Sequence, residues 1–461
     1  MKNLLKIFFM VNLIMIVNGM SMSQIEASNE VLPFSLGEIE IQHHQETITI
    51  ELTGLLSVPL IEGEFPIVLI IPEVASSQEI SGRYHQLLKS LSQIPALGVL
   101  IDLSSLKDVE TIDETLIATV FNHYRVSLNQ AIQDESLAFE KNLYDKGSFS
   151  EVILIGSGES VDSIYQIIAN HHNKQLSVSG VILIDPQRKR EVPNLTLLDT
   201  PTAIILPYAL LEQNAIGLSF FQRNRVEVNR QSMTTMVYVQ PDTSLFNMSE
   251  FEYLNFLSQY AIAFIQSIFK EAPEGIGLSP LEVAPKMIFD TAVKTSLIVP
   301  ETLPILQPKK EKDPHFNVLG GTNRFINLTL DHYKGLVDMY KLKWETENSL
   351  LEIELPKEYR DLTYYDALSL YINYYHPEQE PLSFILELQD MEGQFQQVEV
   401  KNWEPLNNNS GTVIPFYHER FILKDLMEVD LTSVRFIKFI FEIENLGELN
   451  IGDVSLIKSL N

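Results

Sequence analysis

A chain of 461 residues has room for two or three domains of about 100 to 200 residues each, and its 45% hydrophobic and 20% charged residues exclude a disordered polymer. Its 33 basic against 61 acidic residues give a formal charge of −28, which excludes the basic patches that grip a nucleic-acid backbone. It contains no cysteine, which excludes disulfides and any lipid anchor on a cysteine.

The first stretch, "MKNLLKIFFMVNLIMIVNGMSMS", sets Lys2 and Lys6 before an apolar run and ends in Gly19, Ser21 and Ser23. That is the layout of a signal peptide over residues 1–23, so a secreted or cell-surface protein is expected. The run from Ile7 to Val17 is shorter than the roughly 20 residues of a spanning helix, so no stable membrane span is expected after cleavage. An exported chain without cysteine fits a bacterial source better than a disulfide-stapled eukaryotic one.

"EIEIQHHQETITIELTGLLSV" (Glu38 to Val58) alternates as one or two antiparallel strands, and "FPIVLIIP" (Phe65 to Pro72) is a continuous apolar strand. A helix through "YHQLLKSLSQIPA", the buried strand "LGVLIDL" (Leu97 to Leu103) and a helical zone from Asp113 to about Leu143 follow. "EVILIGSGESVDSIYQIIAN" (Glu151 to Asn170) reads as strand, sharp turn and helix, with Ile164, Ile167 and Ile168 at helical spacing. Next come "VSGVILID" (Val178 to Asp185), "TPTAIILPY" (Thr200 to Tyr208), "TTMVYVQ" (Thr234 to Gln240) and a helix from about Glu250 to Phe269. Buried strands alternating with helices predict a doubly wound, mostly parallel α/β sheet over residues 31–272.

Past Ala272 the composition shifts. "ETLPILQPKKEKDPHF" (Glu301 to Phe316) mixes prolines and charges, so residues 273–314 are expected to be a linker. From 315 to 461 there are only strand-like segments, from "LLEIELP" to "LNIGDVSLIKS", whose alternation and turns predict an all-β sandwich.

The order of elements and the turn "VILIGSGES" make the first domain resemble the α/β-hydrolase fold, in which the turn reads G-x-S-x-G and lifts a nucleophilic serine above the sheet. The tail resembles the jelly-roll, galactose-binding-like sandwiches that some secreted hydrolases carry. Matched position by position, the resemblance puts Gly158 where the nucleophile belongs, and glycine has no side-chain oxygen. Ser157 and Ser160 sit beside that apex and are expected to hydrogen-bond within the turn. The position matched to the general base, in "VQPDTSLFN", is Thr243, and no histidine stands between His172 and His315. A hydroxyl does not accept and return a proton near neutral pH as imidazole does. Glu212, in "ALLEQN", matches the orienting acid but has no imidazole to orient. On the oxyanion side stand Pro72, Glu73 and Val74, of which proline donates no N–H and Glu73 carries the wrong charge. The expectation is therefore a catalytically inactive α/β-hydrolase-like protein that acts by binding a cell-surface glycan, a peptide or another envelope protein. The alternative is a secreted serine esterase or lipase-like hydrolase with Ser157 or Ser160 as an unorthodox nucleophile.

The other constellations are weaker. His43 with His44, and His171 with His172, are adjacent pairs whose side chains point apart on a regular element, with no further ligand at metal spacing, so surface histidines are expected. Asp185 stands at a strand end ahead of Arg188, Lys189 and Arg190, in what reads as a solvated loop. Tyr364, Tyr365, Tyr371, Tyr374, Tyr375 and Trp403 offer rings for stacking on sugars, with about half expected in the core by strand alternation. Glu378, Glu380 and Asp453 are acidic but form no dense calcium loop. No cofactor and no metal are expected.

Overall fold

The computed structural model describes residues 31–44, 46–59, 63–109, 112–134, 145–171, 177–186, 200–207, 232–239, 250–269, 273–279, 282, 284–298, 302–306, 317–318, 326–333, 337–344, 349–375, 382–403, 417–441 and 447–458. The signal-peptide segment, Thr243, Glu212, His172, Arg188 to Arg190, Glu378 and Glu380 lie outside the described residues. The chain forms two compact units, one running to Ile155 with Gln166–Val178, the other comprising Gly156–Tyr165 and Ser179 onward.

In the first unit the strands lie in the order β1 (Val31–His43), β2 (Glu46–Ser57), β4 (Leu97–Ile101), β3 (Phe65–Ile71) and β5 (Gly147–Ser157). β1 and β2 form a long antiparallel hairpin, β2 runs antiparallel to β4, and β3 runs parallel to β4. β3 and β4 are apolar and buried along nearly their whole length, as strands covered on both faces must be. Helix α1 (Ser77–Leu91) begins earlier than its apolar pattern announces, because Ser76 and Glu79 form a reciprocal capping box. Its buried face is Ile80, Tyr84, Leu87, Leu88 and Leu91, one stripe at helical spacing. Helix α2 (Glu114–Gln133) is capped by Asp113, whose side chain accepts from Leu116 N. The expected continuation of α2 to Leu143 falls outside the described residues beyond Asp134. Tyr124 on α2 directs its hydroxyl to the carbonyls of Thr53 (2.6 Å) and Asp102 (3.1 Å), and burial pushes its phenol above the ordinary range.

After β5 comes helix α3 (Val161–His171). The second unit opens with parallel strands β6 (Val178–Ile184), β7 (Thr202–Pro207) and β8 (Thr234–Val239), and helix α4 (Glu250–Phe269) follows. α4 buries Phe256, Leu257, Tyr260, Ala261, Phe264 and Ile265, again one stripe. The segment expected as a linker, 273–314, instead carries three strands: β9 (Met287–Ile288), β10 (Thr291–Ile298) and β11 (Thr302–Leu306). β10 pairs antiparallel with β8, and β11 pairs with the last strand of the chain, so this stretch belongs to two sheets.

The remaining strands are β12 (Asn317–Val318), β13 (Ile326–Tyr333), β14 (Val337–Trp344), β15 (Ser349–Glu354), β16 (Ala367–Tyr375), β17 (Leu382–Asp390), β18 (Phe395–Trp403), β19 (Tyr417–Ile422), β20 (Val434–Phe441) and β21 (Gly447–Ile457). One antiparallel sheet has the order β13-β14-β21-β16-β19, the other β12-β15-β20-β17-β18. Leu342, Trp344, Leu370 and Ile451 from the first meet Leu351, Ile353, Phe384 and Phe439 from the second in one apolar core. At its centre Trp344 stacks on Phe441 with ring centroids 4.5 Å apart. The whole is a mixed α/β sheet architecture with parallel strands, followed by antiparallel sheets packed as a sandwich.

Candidate functional site

The turn after β5 is built by small residues. Gly156 ends the buried run Val152 to Ile155, and a Cβ there would stand 2.3 Å from Ile164 Cδ1 on α3. Only glycine lets the helix lie this close to the strand end. At the next glycine, Gly158, φ is +55°, the left-handed conformation of a sharp strand-to-helix turn. This turn therefore carries no side chain at its left-handed residue.

Ser157 and Ser160 are 4% and 1% exposed. The Ser160 hydroxyl accepts from Ser157 N at 3.0 Å and donates to Ser157 O at 2.8 Å. Its proton and a lone pair are both used inside the turn, so it closes the bend as an N-terminal cap does. A nucleophile needs a base on that proton, and the base and acid positions matched by sequence, Thr243 and Glu212, are outside the described residues. On the proposed oxyanion side, Pro72 is buried and Glu73 forms an ion pair with Arg83, which offsets its charge locally. Asp185 follows β6 with φ +43°, and its N–H bonds to Ile205 O of β7, which extends the ladder between the two strands.

The sandwich offers a different surface. On β15, β17 and β20 the core residues alternate with Glu352, Glu387 and Lys438, which lie on the opposite face of the sheet. Register places Glu352, Lys438, Glu387 and Gln397 side by side across four strands. Lys438 Nζ donates to Glu387 Oε1 at 2.8 Å and Gln389 Oε1 at 2.7 Å, and Gln397 Nε2 donates to Glu387 Oε2 at 2.8 Å. The neighbouring row is Glu354, Phe436, Gln389 and Phe395. Arg435 lies 4.6 Å over the Phe436 ring and donates to Glu354 at 3.0 Å, while Phe395 is exposed. Glu352 and Glu387 are buried, at 8% and 7% exposed, so this row is a largely buried polar ladder, with the exposed Phe395 on the neighbouring row. Sequence alternation alone reveals each outward residue, but the row exists only once strand order is known.

The outer face of the other sheet is covered over β16, β19 and β21. Ser369, Arg420 and Ser455 pair across β16, β19 and β21 and are buried. Arg420 donates to the Ser279 carbonyl, and burial pulls its guanidinium down to about 10 against the opposing effect of Glu282 and Glu419. Leu297 of β10 packs on Ala367 and Ile457 at the edge of the same face. Asp453 is buried on this sheet rather than in an open acidic loop. Among the aromatic residues singled out by sequence, Tyr371 is buried, Tyr365 is partly buried, and Tyr364 is 69% exposed. The side chains of Tyr374, Tyr375 and Trp403 are outside the described residues.

A third cluster, invisible in local sequence, joins His43 and His44 at the tip of the β1–β2 hairpin to Asp113 before α2.

No family model matches the chain, and no curated protein matches it. Among solved structures, a dienelactone hydrolase from Anabaena variabilis is 17% identical, covers 51% of this chain and 98% of its own length, and gives a TM-score of 0.36. A family 11 carbohydrate-binding module from Clostridium thermocellum is 11% identical over 34% of this chain and 96% of its own, with a TM-score of 0.26. An agarase is 11% identical over 34% of this chain, which spans 25% of that enzyme, with a TM-score of 0.24. These are weak likenesses of strand and helix arrangement.

Proposed function

We propose that this is an exported, catalytically inactive α/β-hydrolase-like protein that acts by binding, and that its sandwich takes a neutral polyhydroxylated ligand, a glycan. The observation that carries the reading is the turn at Gly156–Ser160: its apex residue is Gly158, and the Ser160 hydroxyl is closed onto the Ser157 backbone. Such a turn offers no side-chain oxygen at Gly158, the position matched to the nucleophile. Export rests on the first 23 residues of the sequence. Among the described residues no helix is long and apolar enough to cross a membrane.

The row Glu352, Lys438, Glu387 and Gln397 supports the ligand class. Carboxylate, amide and ammonium groups hold one another in place there, with Glu352 and Glu387 buried, and the exposed Phe395 on the neighbouring row offers a face for a sugar ring. A net charge of −28 favours a neutral over an acidic glycan. Affinity electrophoresis of the full chain through gels containing mixed-linkage β-glucan, glucomannan or agarose tests this. Retardation by at least one is expected, and its loss in Glu387→Gln with Lys438→Gln, which removes the Glu387–Lys438 pair together. Free migration in every gel, or retardation unchanged in the double variant, would overturn the glycan reading.

A further inference from the structure

We propose that His43, His44 and Asp113 form a binding site for a divalent transition-metal ion, zinc foremost. The cluster joins residues 69 positions apart (113 − 44), and each piece has a local cause. On a regular strand, consecutive side chains point to opposite faces, so His43 and His44 would part company. The hairpin turns between His43 and Glu46, which pair, and His44 takes the left-handed conformation at φ +45°. That twist swings the second imidazole back beside the first, and the ring centroids lie 4.1 Å apart.

The third ligand comes from a capping residue with one oxygen to spare. Asp113 Oδ1 accepts from Leu116 N at 2.8 Å and holds the first turn of α2. Its Oδ2 faces both imidazoles, 4.0 Å from His43 Nε2 and 3.6 Å from His44 Nε2. Both separations exceed hydrogen-bond distance, so these contacts are not bonds between the groups. Tetrahedral zinc, with ligands at about 2.0 to 2.2 Å, sets its donor atoms roughly 3.3 to 3.5 Å apart. All three donor atoms here lie within 4.8 Å of one another, a gap that modest side-chain rotation closes around an ion.

Two neutral imidazoles and one carboxylate are donors of the kind zinc and its neighbours in the first transition series accept. Calcium and magnesium prefer oxygen throughout. His44 is 63% exposed in its side chain, so the remaining position opens to water or to a ligand from outside. The ion would tie the hairpin tip to the start of α2. This inference is independent of whether the sandwich binds a glycan.

The test uses the full chain without an affinity tag, stripped of metal. Zn²⁺ is titrated by calorimetry, and Co²⁺ by the visible absorption that a low-symmetry, four-coordinate site intensifies. One equivalent is expected to bind, with a rise in melting temperature. His44→Asn keeps a residue that tolerates the left-handed turn, and Asp113→Asn keeps the capping oxygen, so both variants are expected to fold. Each should weaken Zn²⁺ at least about tenfold, as losses around metal sites do, and the double variant should lose the thermal shift. Absence of Zn²⁺ binding by the wild-type chain overturns the proposal. So does binding that is unchanged in the double variant, which would place the ion on other histidines.

Discussion

The turn at Gly156–Ser160 and the turn at His43–His44 both pass through a left-handed residue, Gly158 at φ +55° and His44 at φ +45°. In the first, the turn carries hydroxyls that bond back to its own backbone, and its apex carries nothing. In the second, the same backbone twist brings two imidazoles to a carboxylate without hydrogen-bond contact to it. A tight bend aims side chains, and what it accomplishes depends on which side chains it carries and what the fold brings to face them.

The largest effect is expected from crowding the first turn. Gly156→Ala places a methyl group against Ile164 and should cost about 1 to 3 kcal/mol in urea unfolding, as overpacking does. In the double variant with Ile164→Ala, the two losses should be less than additive, because the second substitution removes the atoms that the first meets. Equal stability of Gly156→Ala and wild type would mean the strand and helix are not this close.

Filling the apex comes next. Gly158→Ser must hold a Cβ in the left-handed region, a cost of about 1 to 2 kcal/mol. The hairpin turn should respond in the other direction. His44→Gly removes that conformational cost but adds freedom to the unfolded chain, so a metal-free gain of up to about 1 kcal/mol is expected, together with loss of any Zn²⁺-induced thermal shift. A destabilised His44→Gly chain without metal would show that the imidazole supports the hairpin by packing.

A third turn gives the smallest effect and a pH signature. Asp430 accepts from Thr432 N at 3.0 Å, Thr432 Oγ1 at 2.7 Å and Ser433 Oγ at 3.0 Å, and these bonds hold its carboxyl below the usual range. Because the folded pKa is the lower one, its stabilisation is complete above the ordinary carboxylate range and disappears as pH falls through the folded value. Carbon-detected NMR titration should place the Asp430 midpoint below that of an exposed aspartate, and Thr432→Val with Ser433→Ala should raise it.

Much of the fold was legible because it is local. "FPIVLIIP", "LGVLIDL", "VSGVILID" and "TTMVYVQ" became β3, β4, β6 and β8, since a buried strand announces itself by unbroken apolar character. The sandwich strands were legible by alternation. The strands in 273–314 were not, because "TAVKTSLI" breaks its apolar run with Lys294, Thr295 and Ser296, and its antiparallel pairing with β8 makes it part of the sheet. At the candidate site, the left-handed Gly158 and the Ser160 hydrogen bonds are local to one short turn, whereas Asp113 beside His43 and His44 depends on a fold-level meeting that no spacing encodes. The polar row across β15, β20, β17 and β18 was hidden for the same reason, since strand order differs from sequence order.

The central claim is that the elbow-like turn has no working nucleophile, and reaction of the full chain with a fluorophosphonate probe, read by intact mass, addresses it directly. The wild-type chain should remain unlabelled, and Gly158→Ser with Thr243→His should label weakly, since Pro72 offers no N–H and Glu73 is acidic on the side matched to the oxyanion hole. Stoichiometric labelling of the wild-type chain that disappears in Ser157→Ala or Ser160→Ala would contradict the account.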